Sequence, residues 1–178
     1  MLKTFTVTAE HLKDGVYAGP EDLSDFDGHI EIAASLGWVS FSGVLKARGR
    51  IRALSGSGIK AGSGIEASEG IEASEGIKAG SGIKAGEGIK AGEGIEAGWG
   101  IKASEGIKAG WSIKAGWGIE AGLSIAAKWV SARLRIFAGL CIWRLPTAGE
   151  DVIRAEIRGG TVALGQVVAP KATTEPAD

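Results

Sequence analysis

The sequence is poor in several residue types that mark common classes of protein. Among 178 residues there is one cysteine, and four are proline. A lone thiol, Cys141, cannot form an internal disulfide, which favours a reducing compartment. No run approaches eighteen apolar residues, and the N-terminus lacks the apolar segment of a signal peptide. We therefore expect a cytoplasmic protein that does not act at a membrane.

The chain also has no large excess of positive or negative charge, because its formal net charge is only −1. The chain has neither the basic field that attracts nucleic acid nor a strongly acidic surface. This balance does not favour nucleic acid as a partner.

What the sequence does contain is a six-residue repeat, Ile-x-Ala-x-x-x, running without a gap from Ile59 to about Val130. Ile and Ala alternate with a charged residue, which is typical of a short strand with one buried face. The glycines that follow permit a tight corner, whereas in a helix each would cost about 1 kcal/mol. The repeat therefore predicts an all-β fold, a parallel β-solenoid.

Two windings are compatible with this period. Three repeats per coil make a triangular prism of about 18 residues per coil, and two repeats per coil make a flatter body. In the triangular form, like and opposite charges would meet about equally often on neighbouring strands. We favour the triangular form.

The flanking segments differ from the array in composition. Residues 38–58 keep the spacing until a two-residue slip at Ser57-Gly58, which predicts degenerate first coils. Solenoids need caps, and residues 1–37 are the natural N-terminal one.

Residues 131–169 are predicted to form a C-terminal β-rich cap or dimerisation segment. Within it, two strands between Val152 and Val168 would be joined by a hairpin at Arg158–Thr161. Residues 170–178 are predicted to form a flexible tail.

On these residues, the segment from Ile59 to Val130 resembles hexapeptide-repeat parallel β-helix proteins, and it is similar to the bactofilins. It departs from the acyltransferase form of the repeat, where the small inward residue usually precedes the aliphatic one by two positions. Here Ala follows Ile by two. The resemblance covers about 40% of the chain and implies a fold rather than an activity.

Residues suited to catalysis are scarce. The only histidines, His11 and His29, lie outside the array, whereas the acyltransferases that it resembles place their histidine on a coil. Cys141 lies in an apolar stretch, which predicts a buried structural thiol. No nucleophile–base spacing, phosphate loop or zinc spacing is present. We expect a non-enzymatic protein with no cofactor, no metal site and no small-molecule substrate.

Two acidic patterns have a simple interpretation. In the triangular winding Glu69, Glu87 and Glu105 would align, and such a ladder can bind cations, but a solvated acidic face is the commoner outcome. The stretch from Asp22 to Gly28 contains part of a calcium-loop pattern without its first ligand, which favours an acidic turn.

The tryptophans are the strongest indication of function. Four share one slot of the repeat, beyond the glycine corner and therefore expected at an edge: Trp99, Trp111, Trp117 and Trp129. Exposed aromatic clusters usually mark a partner surface. The alternative is that the C-terminal segment folds over these rings and buries them as ordinary core.

We expect these rings to contact another copy of the chain or a protein partner. A basic rim would surround them, formed by Lys128, Arg133, Arg135 and Arg144. The alternatives are a self-assembling scaffold of bactofilin type, an inhibitor or regulator of a host or defence machine and, last, an acyltransferase.

Overall fold

A computed structural model describes residues 2–170 of the chain. They wind into a parallel β-solenoid of about eight coils with about 18 residues per coil. Ile71 pairs with Ile89 and Ile77 pairs with Ile95, in each case eighteen residues further along. The predicted all-β solenoid and its triangular winding are therefore confirmed.

The strands are mostly three residues long and follow one another around the prism. In chain order they are β1 (Lys3–Val7), β2 (Leu12–Lys13), β3 (Val16–Tyr17), β4 (Gly28–Ile32), β5 (Gly37–Phe41), β6 (Leu45–Ala47), β7 (Ile51–Ala53), β8 (Ser57–Ala61), β9 (Ile65–Ala67), β10 (Ile71–Ala73), β11 (Ile77–Ala79), β12 (Ile83–Ala85), β13 (Ile89–Ala91), β14 (Ile95–Ala97), β15 (Ile101–Ala103), β16 (Ile107–Ala109), β17 (Ser112–Ala115), β18 (Ile119–Ala121), β19 (Ile125–Phe137), β20 (Val152–Leu164) and β21 (Gln166–Val168). A 3-10 turn, Ala9–His11, precedes β2.

Three parallel ladders form the three faces of the prism. The first face consists of β5, β8, β11, β14 and β17. The second face consists of β6, β9, β12, β15 and β18. The third face consists of β1, β4, β7, β10, β13 and β16. The long strands β19 and β20 bend around the prism and extend these ladders.

Stacked isoleucine and alanine side chains fill the interior. Every repeated isoleucine from Ile59 to Ile125 is at most 1% exposed. Because each short strand pairs with a strand above and a strand below, its backbone groups are satisfied, although three residues alone could not form a stable sheet.

The outer charges add little to this interior. Between β8 and β18, facing residues carry opposite charges five times and like charges three times. The shortest opposite pair joins Lys102 Nζ and Glu120 Oε2 at 2.7 Å. Such exposed pairs are worth about 0–1 kcal/mol each. The buried columns, rather than the ion pairs, therefore hold the coils together.

Parallel pairing extends into the segment expected to be the N-terminal cap, where β1 pairs with β4 and β4 with β7. The two-residue slip expected at Ser57-Gly58 falls slightly earlier, because both residues belong to β8 and pair with Gly37 and Trp38. The corner before them contains Gly56, which has a φ of +71°. An aromatic cluster closes this end of the solenoid. Its Phe5 and Phe26 rings lie 6.0 Å apart, and its Tyr17 and Phe41 rings lie 5.5 Å apart.

The predicted hairpin at Arg158–Thr161 is wrong. The segment is one bent strand, β20, and it pairs parallel with β19, so that Ile153 lies on Ile125 and Val162 on Ile136. Gly160, with a φ of +87°, turns the chain around a corner of the prism instead of reversing it. The alternation that suggested two strands arises because the chain continues the coil.

The tight corners allow a prediction about Gly116. A Cβ at this residue would collide with the carbonyl oxygen of Gly98 in the coil below. Some repeats carry serine at the position equivalent to Gly116, as at Ser104. There the distance from the backbone nitrogen to the carbonyl oxygen one coil below is 3.3 Å, compared with 3.0 Å at Gly116, so the corner is slightly wider. We expect Gly116→Ala to cost about 1 kcal/mol, at the low end for overpacking, measured by urea denaturation.

Gly43 provides the control, because a Cβ there would meet nothing within 4 Å. Gly43→Ala should be neutral or stabilise by about 0.4–1 kcal/mol through the unfolded state. Equal effects at the two positions would contradict the close approach at Gly116.

Candidate interaction surface

The slot that holds the tryptophans lies on the edges of the prism, as the repeat predicted. Three repeats make one coil, so the slot residues separate into three columns, one per edge. The tryptophan edge carries Ser63, Ser81, Trp99, Trp117 and Leu134; the glutamate edge carries Glu69, Glu87, Glu105 and Leu123; the mixed edge carries Glu75, Glu93, Trp111 and Trp129. Within each column the backbone N–H of one residue donates to the carbonyl oxygen of the residue one coil below.

On the tryptophan edge two rings are stacked in the open. Trp99 is 61% exposed and Trp117 60% exposed, and their ring centroids lie 6.1 Å apart at an interplanar angle of 22°. Leu134 continues the column on the next coil and is also exposed. No part of the chain between residues 2 and 170 buries these rings, so in the described chain they are not core.

On the mixed edge each ring is paired with a cation. Lys128 Nζ lies 4.0 Å from the centroid of the Trp111 ring, which is 56% exposed. The guanidinium carbon of Arg158 lies 5.1 Å from the centroid of the half-buried Trp129 ring. Lys128 therefore lies beside a tryptophan, as the expected basic rim requires. Arg158 was missed because the hairpin interpretation placed it in a turn.

The other residues of the expected rim do not form one surface. Arg133 and Arg135 are exposed and flank Leu134 at the tryptophan edge. Arg144 makes a two-pronged ion pair with Glu150, with N–O distances of 2.6 and 2.7 Å. The expected single cluster thus divides into two tryptophan-bearing edges and a separate loop.

That loop is an apolar surface that the sequence reasoning overlooked. It comprises residues 140–145 and is called here the apolar loop. Ile142 is 95% exposed and Leu145 89% exposed, and Leu140 and Trp143 are also exposed. Cys141 is only half-buried, so the prediction of a buried structural thiol is wrong: its neighbours Leu140 and Ile142 point outward instead of enclosing it. The sequence signal for this surface is the apolar run before Pro146.

The carboxylate of Glu150 holds this loop in place by binding Arg144 and Thr147. The guanidinium of Arg144 and the backbone N–H of Thr147, which donates at 2.7 Å, lower the pKa of Glu150 from 4.5 to about 2. A depressed carboxyl pKa stabilises the folded form above the unfolded pKa, and the stabilisation is lost as pH falls through the folded pKa. We expect the loop to keep its order from pH 7 to about pH 4.5 and to lose it progressively towards pH 2.

This loss can be followed as the difference in fluorescence between the wild type and Trp143→Phe during acid titration. Glu150→Gln should remove the step between pH 4.5 and about 2, because it removes the titrating group. Circular dichroism identifies any global unfolding. A transition that persists in Glu150→Gln would contradict the assignment.

The tryptophan edge and the apolar loop border the same face. A groove of about 630 Å³ runs beside Trp99 and Trp117 along the start of the strands of the second face. A smaller groove of about 240 Å³ lies between the other end of β15 and β18 and the apolar loop. Lys102 and Glu120 line both grooves. The C-terminal half of the second face is therefore a trough with an ion pair as its floor and apolar groups on both borders.

The glutamate edge aligns as expected. Glu87 and Glu105 each donate a backbone N–H to the glutamate one coil below, at 3.3 Å. Glu69 Oε2 lies 3.6 Å from His29 Nδ1. Within residues 2–170 no group of three or more His, Cys, Asp or Glu side chains could hold a metal ion. Glu69, Glu87 and Glu105 therefore stand in one column along this edge.

Both histidines have structural contacts. His11 Nδ1 accepts the backbone N–H of Thr8 at 3.1 Å, and His29 Nδ1 accepts that of Arg50 at 3.1 Å. In the acidic turn, Asp25 and Asp27 make ion pairs with Lys46 and Arg48 of the neighbouring coil. These contacts hold the first coils together and leave the tryptophan edges and the apolar loop as the candidate site.

Comparisons with protein-family models, with curated proteins and with solved structures find no match to this chain. Among the residues that the structure describes, no helix is long and apolar enough to cross a membrane.

Proposed function

We propose that this chain is a non-enzymatic binding protein of the cytoplasm that acts through protein–protein contacts at the tryptophan-bearing half of its solenoid. The observation that supports the proposal most directly is the exposure of three large rings, those of Trp99, Trp111 and Trp117. All three are more than half exposed although the chain has an ample interior to bury apolar groups.

The identity of the exposed residues favours a protein partner. Tryptophan dominates the binding energy of many interfaces, because it covers a large area at a small cost in side-chain entropy. Large contiguous apolar patches on a soluble protein usually mark an interaction site. The two tryptophan edges and the apolar loop together supply such patches.

The scaffold adds a second advantage. The edge residues stand at corners whose backbone is hydrogen-bonded to the coils above and below, as at Trp117, whose N–H donates to Trp99 at 2.7 Å. A surface that is ordered before binding loses less entropy on association. The early coils carry serine and glutamate in the same slot, so the contacts are assigned to the C-terminal half.

The test is the double variant Trp111→Ala/Trp117→Ala, which removes one ring from each tryptophan-bearing edge. We expect it to keep the circular dichroism spectrum of the wild type, because both rings are exposed, with a thermal midpoint lowered by only a few degrees through loss of the Trp99–Trp117 stack. It should lose association in sizing and pull-down experiments. Lys60→Ala/Lys108→Ala is the matched control, since both lysines are exposed and lie outside the tryptophan columns.

Two outcomes would oppose the proposal. A folded double variant that associates as the wild type does would show that the rings are not contact residues. Unfolding of the variant would instead assign the rings to the core.

A self-assembling scaffold of bactofilin type is the second candidate. The observation that favours it is the outer edge of β20, whose Glu156–Leu164 stretch pairs with β19 but with no strand on its other side within the described residues. Unpaired edges template association with further strands. Filaments in electron micrographs would support this candidate, and discrete particles would oppose it.

A further inference from the structure

We infer that the partner at the trough is a second copy of this chain, and that two solenoids pair side by side across their second faces. The apolar loop of each copy would lie against Trp99 and Trp117 of the other. This inference rests on the proposed function and names its partner.

The area of the apolar surface is the first argument. Trp99, Trp117 and Leu134 lie on one border of the second face, and the four apolar residues of the loop lie on the other. Their exposed fractions correspond to an area on the order of 900 Å², divided between the two borders. A standard interface buries about 800 Å² per partner, so this surface is large enough for a stable dimer.

Position along the prism is the second argument. Trp99 and Trp117 immediately precede β15 and β18, and the apolar loop adjoins Ser104 and Gly122, which follow the same two strands. The two borders therefore lie at the same height on opposite sides of one face. A two-fold axis parallel to the prism brings each border against the opposite border of the other copy, so that the contact between loop and tryptophan border forms twice.

Shape agrees with this arrangement. Ile142 and Leu145 project from the loop almost fully exposed, whereas the tryptophan border has a groove of about 630 Å³. The ion pair between Arg144 and Glu150 holds the loop in its projecting conformation. A projection on one border and a groove on the other are what a self-complementary interface needs.

Charge distinguishes the second face from the other two. Its outward residues in the array are Glu66, Lys84, Lys102 and Glu120, which sum to zero and form ion pairs at 3.2 Å and 2.7 Å within one copy. Within the array the first face carries Lys60, Lys78, Glu96 and Lys114, an excess of two positive charges, and the third carries Glu72, Lys90 and Lys108, an excess of one. Two copies of either charged face would repel, whereas two second faces can approach each other.

Solution mass of the full chain, measured by light scattering over a range of concentrations, is the test. We expect a dimer of twice 18.2 kDa. The loop variant Ile142→Asp/Leu145→Asp and the groove variant Trp99→Ala/Trp117→Ala should each weaken the dimer at least about 30-fold. Lys60→Ala/Lys108→Ala, on the first and third faces, is the matched control and should leave the dimer unchanged.

Mixing the two defective variants tests reciprocity. A loop-defective copy still offers its groove, and a groove-defective copy still offers its loop, so one of the two contacts can form between them. We expect the mixture to show a larger weight-average mass than either variant alone. Urea midpoints of all variants establish that they are folded.

A wild type that stays monomeric up to about 100 µM, well above the Kd range of stable interfaces, would overturn the inference. A dimer that survives the loop variant, or a mixture with no gain in mass, would also overturn it. Failure here is distinguishable from failure of the proposed function. A monomer that binds a foreign protein through Trp111 and Trp117 would retain the function and reject the second copy.

Discussion

Replacing Ile101 by alanine is expected to lower the free energy of unfolding by about 2–5 kcal/mol. Ile101 begins β15 in the middle of the array, is 1% exposed and is stacked between Ile83 and Ile119. Deleting its outer carbons removes buried apolar contacts and leaves a cavity that rigid coils on both sides cannot close. The shift in the urea denaturation midpoint measures the loss.

Trp99→Ala is the control for this variant, because it deletes a larger apolar side chain two residues away. Its ring is mostly exposed and stacks on the ring of Trp117. We therefore expect a loss of about 1 kcal/mol, the value of an aromatic pair. Similar losses for Ile101→Ala and Trp99→Ala would mean that the interior column is not the main source of stability.

Replacing Ser57 by alanine is the second change expected to have a large effect. Ser57 is fully buried, and its hydroxyl donates to the carbonyl of Ala33 at 2.7 Å and accepts the N–H of Leu36 at 3.0 Å. The variant would leave a partly buried acceptor and a partly buried donor without their partner, at a total cost of about 1–3 kcal/mol. Those two groups lie in the corner between β4 and β5, where extra residues interrupt the six-residue spacing.

Calorimetry that compares Ser57→Ala with Ser68→Ala isolates the contribution of the Ser57 hydroxyl to the free energy of unfolding, since Ser68 is an exposed serine of the regular array. Ser68→Ala should change the free energy of unfolding by less than about 0.5 kcal/mol. If both variants had the same free energy of unfolding as the wild type, the hydroxyl of Ser57 would not stabilise the irregular corner.

The two predictions locate stability and binding in different parts of the chain. The columns of isoleucine and alanine and the sealed corner at Ser57 stabilise the fold. The proposed contacts use rings and loop residues whose removal should leave the fold intact. This separation makes the proposed function testable, because a variant such as Trp111→Ala/Trp117→Ala can lose binding without unfolding.

Much of the fold could be predicted from the repeat because the physics is local. With an aliphatic residue every six positions and a small residue two further on, alternation in a strand places both on one face. Glycine supplies the corner. The same reasoning failed at Arg158–Thr161, because a Gly-Gly pair is compatible with a hairpin and with a corner, and only the presence of β19 beneath selects the corner.

By itself the sequence determined the period, the buried columns and the position of the tryptophans at the corners, since each follows from residues within six positions of one another. The tertiary structure decided which slots lie together. Three repeats per coil place Trp117 above Trp99 but separate both from Trp111, and they bring the apolar loop to the opposite border of the same face. These neighbours are about eighteen residues or more apart in the chain, and their proximity depends on how many repeats complete a turn.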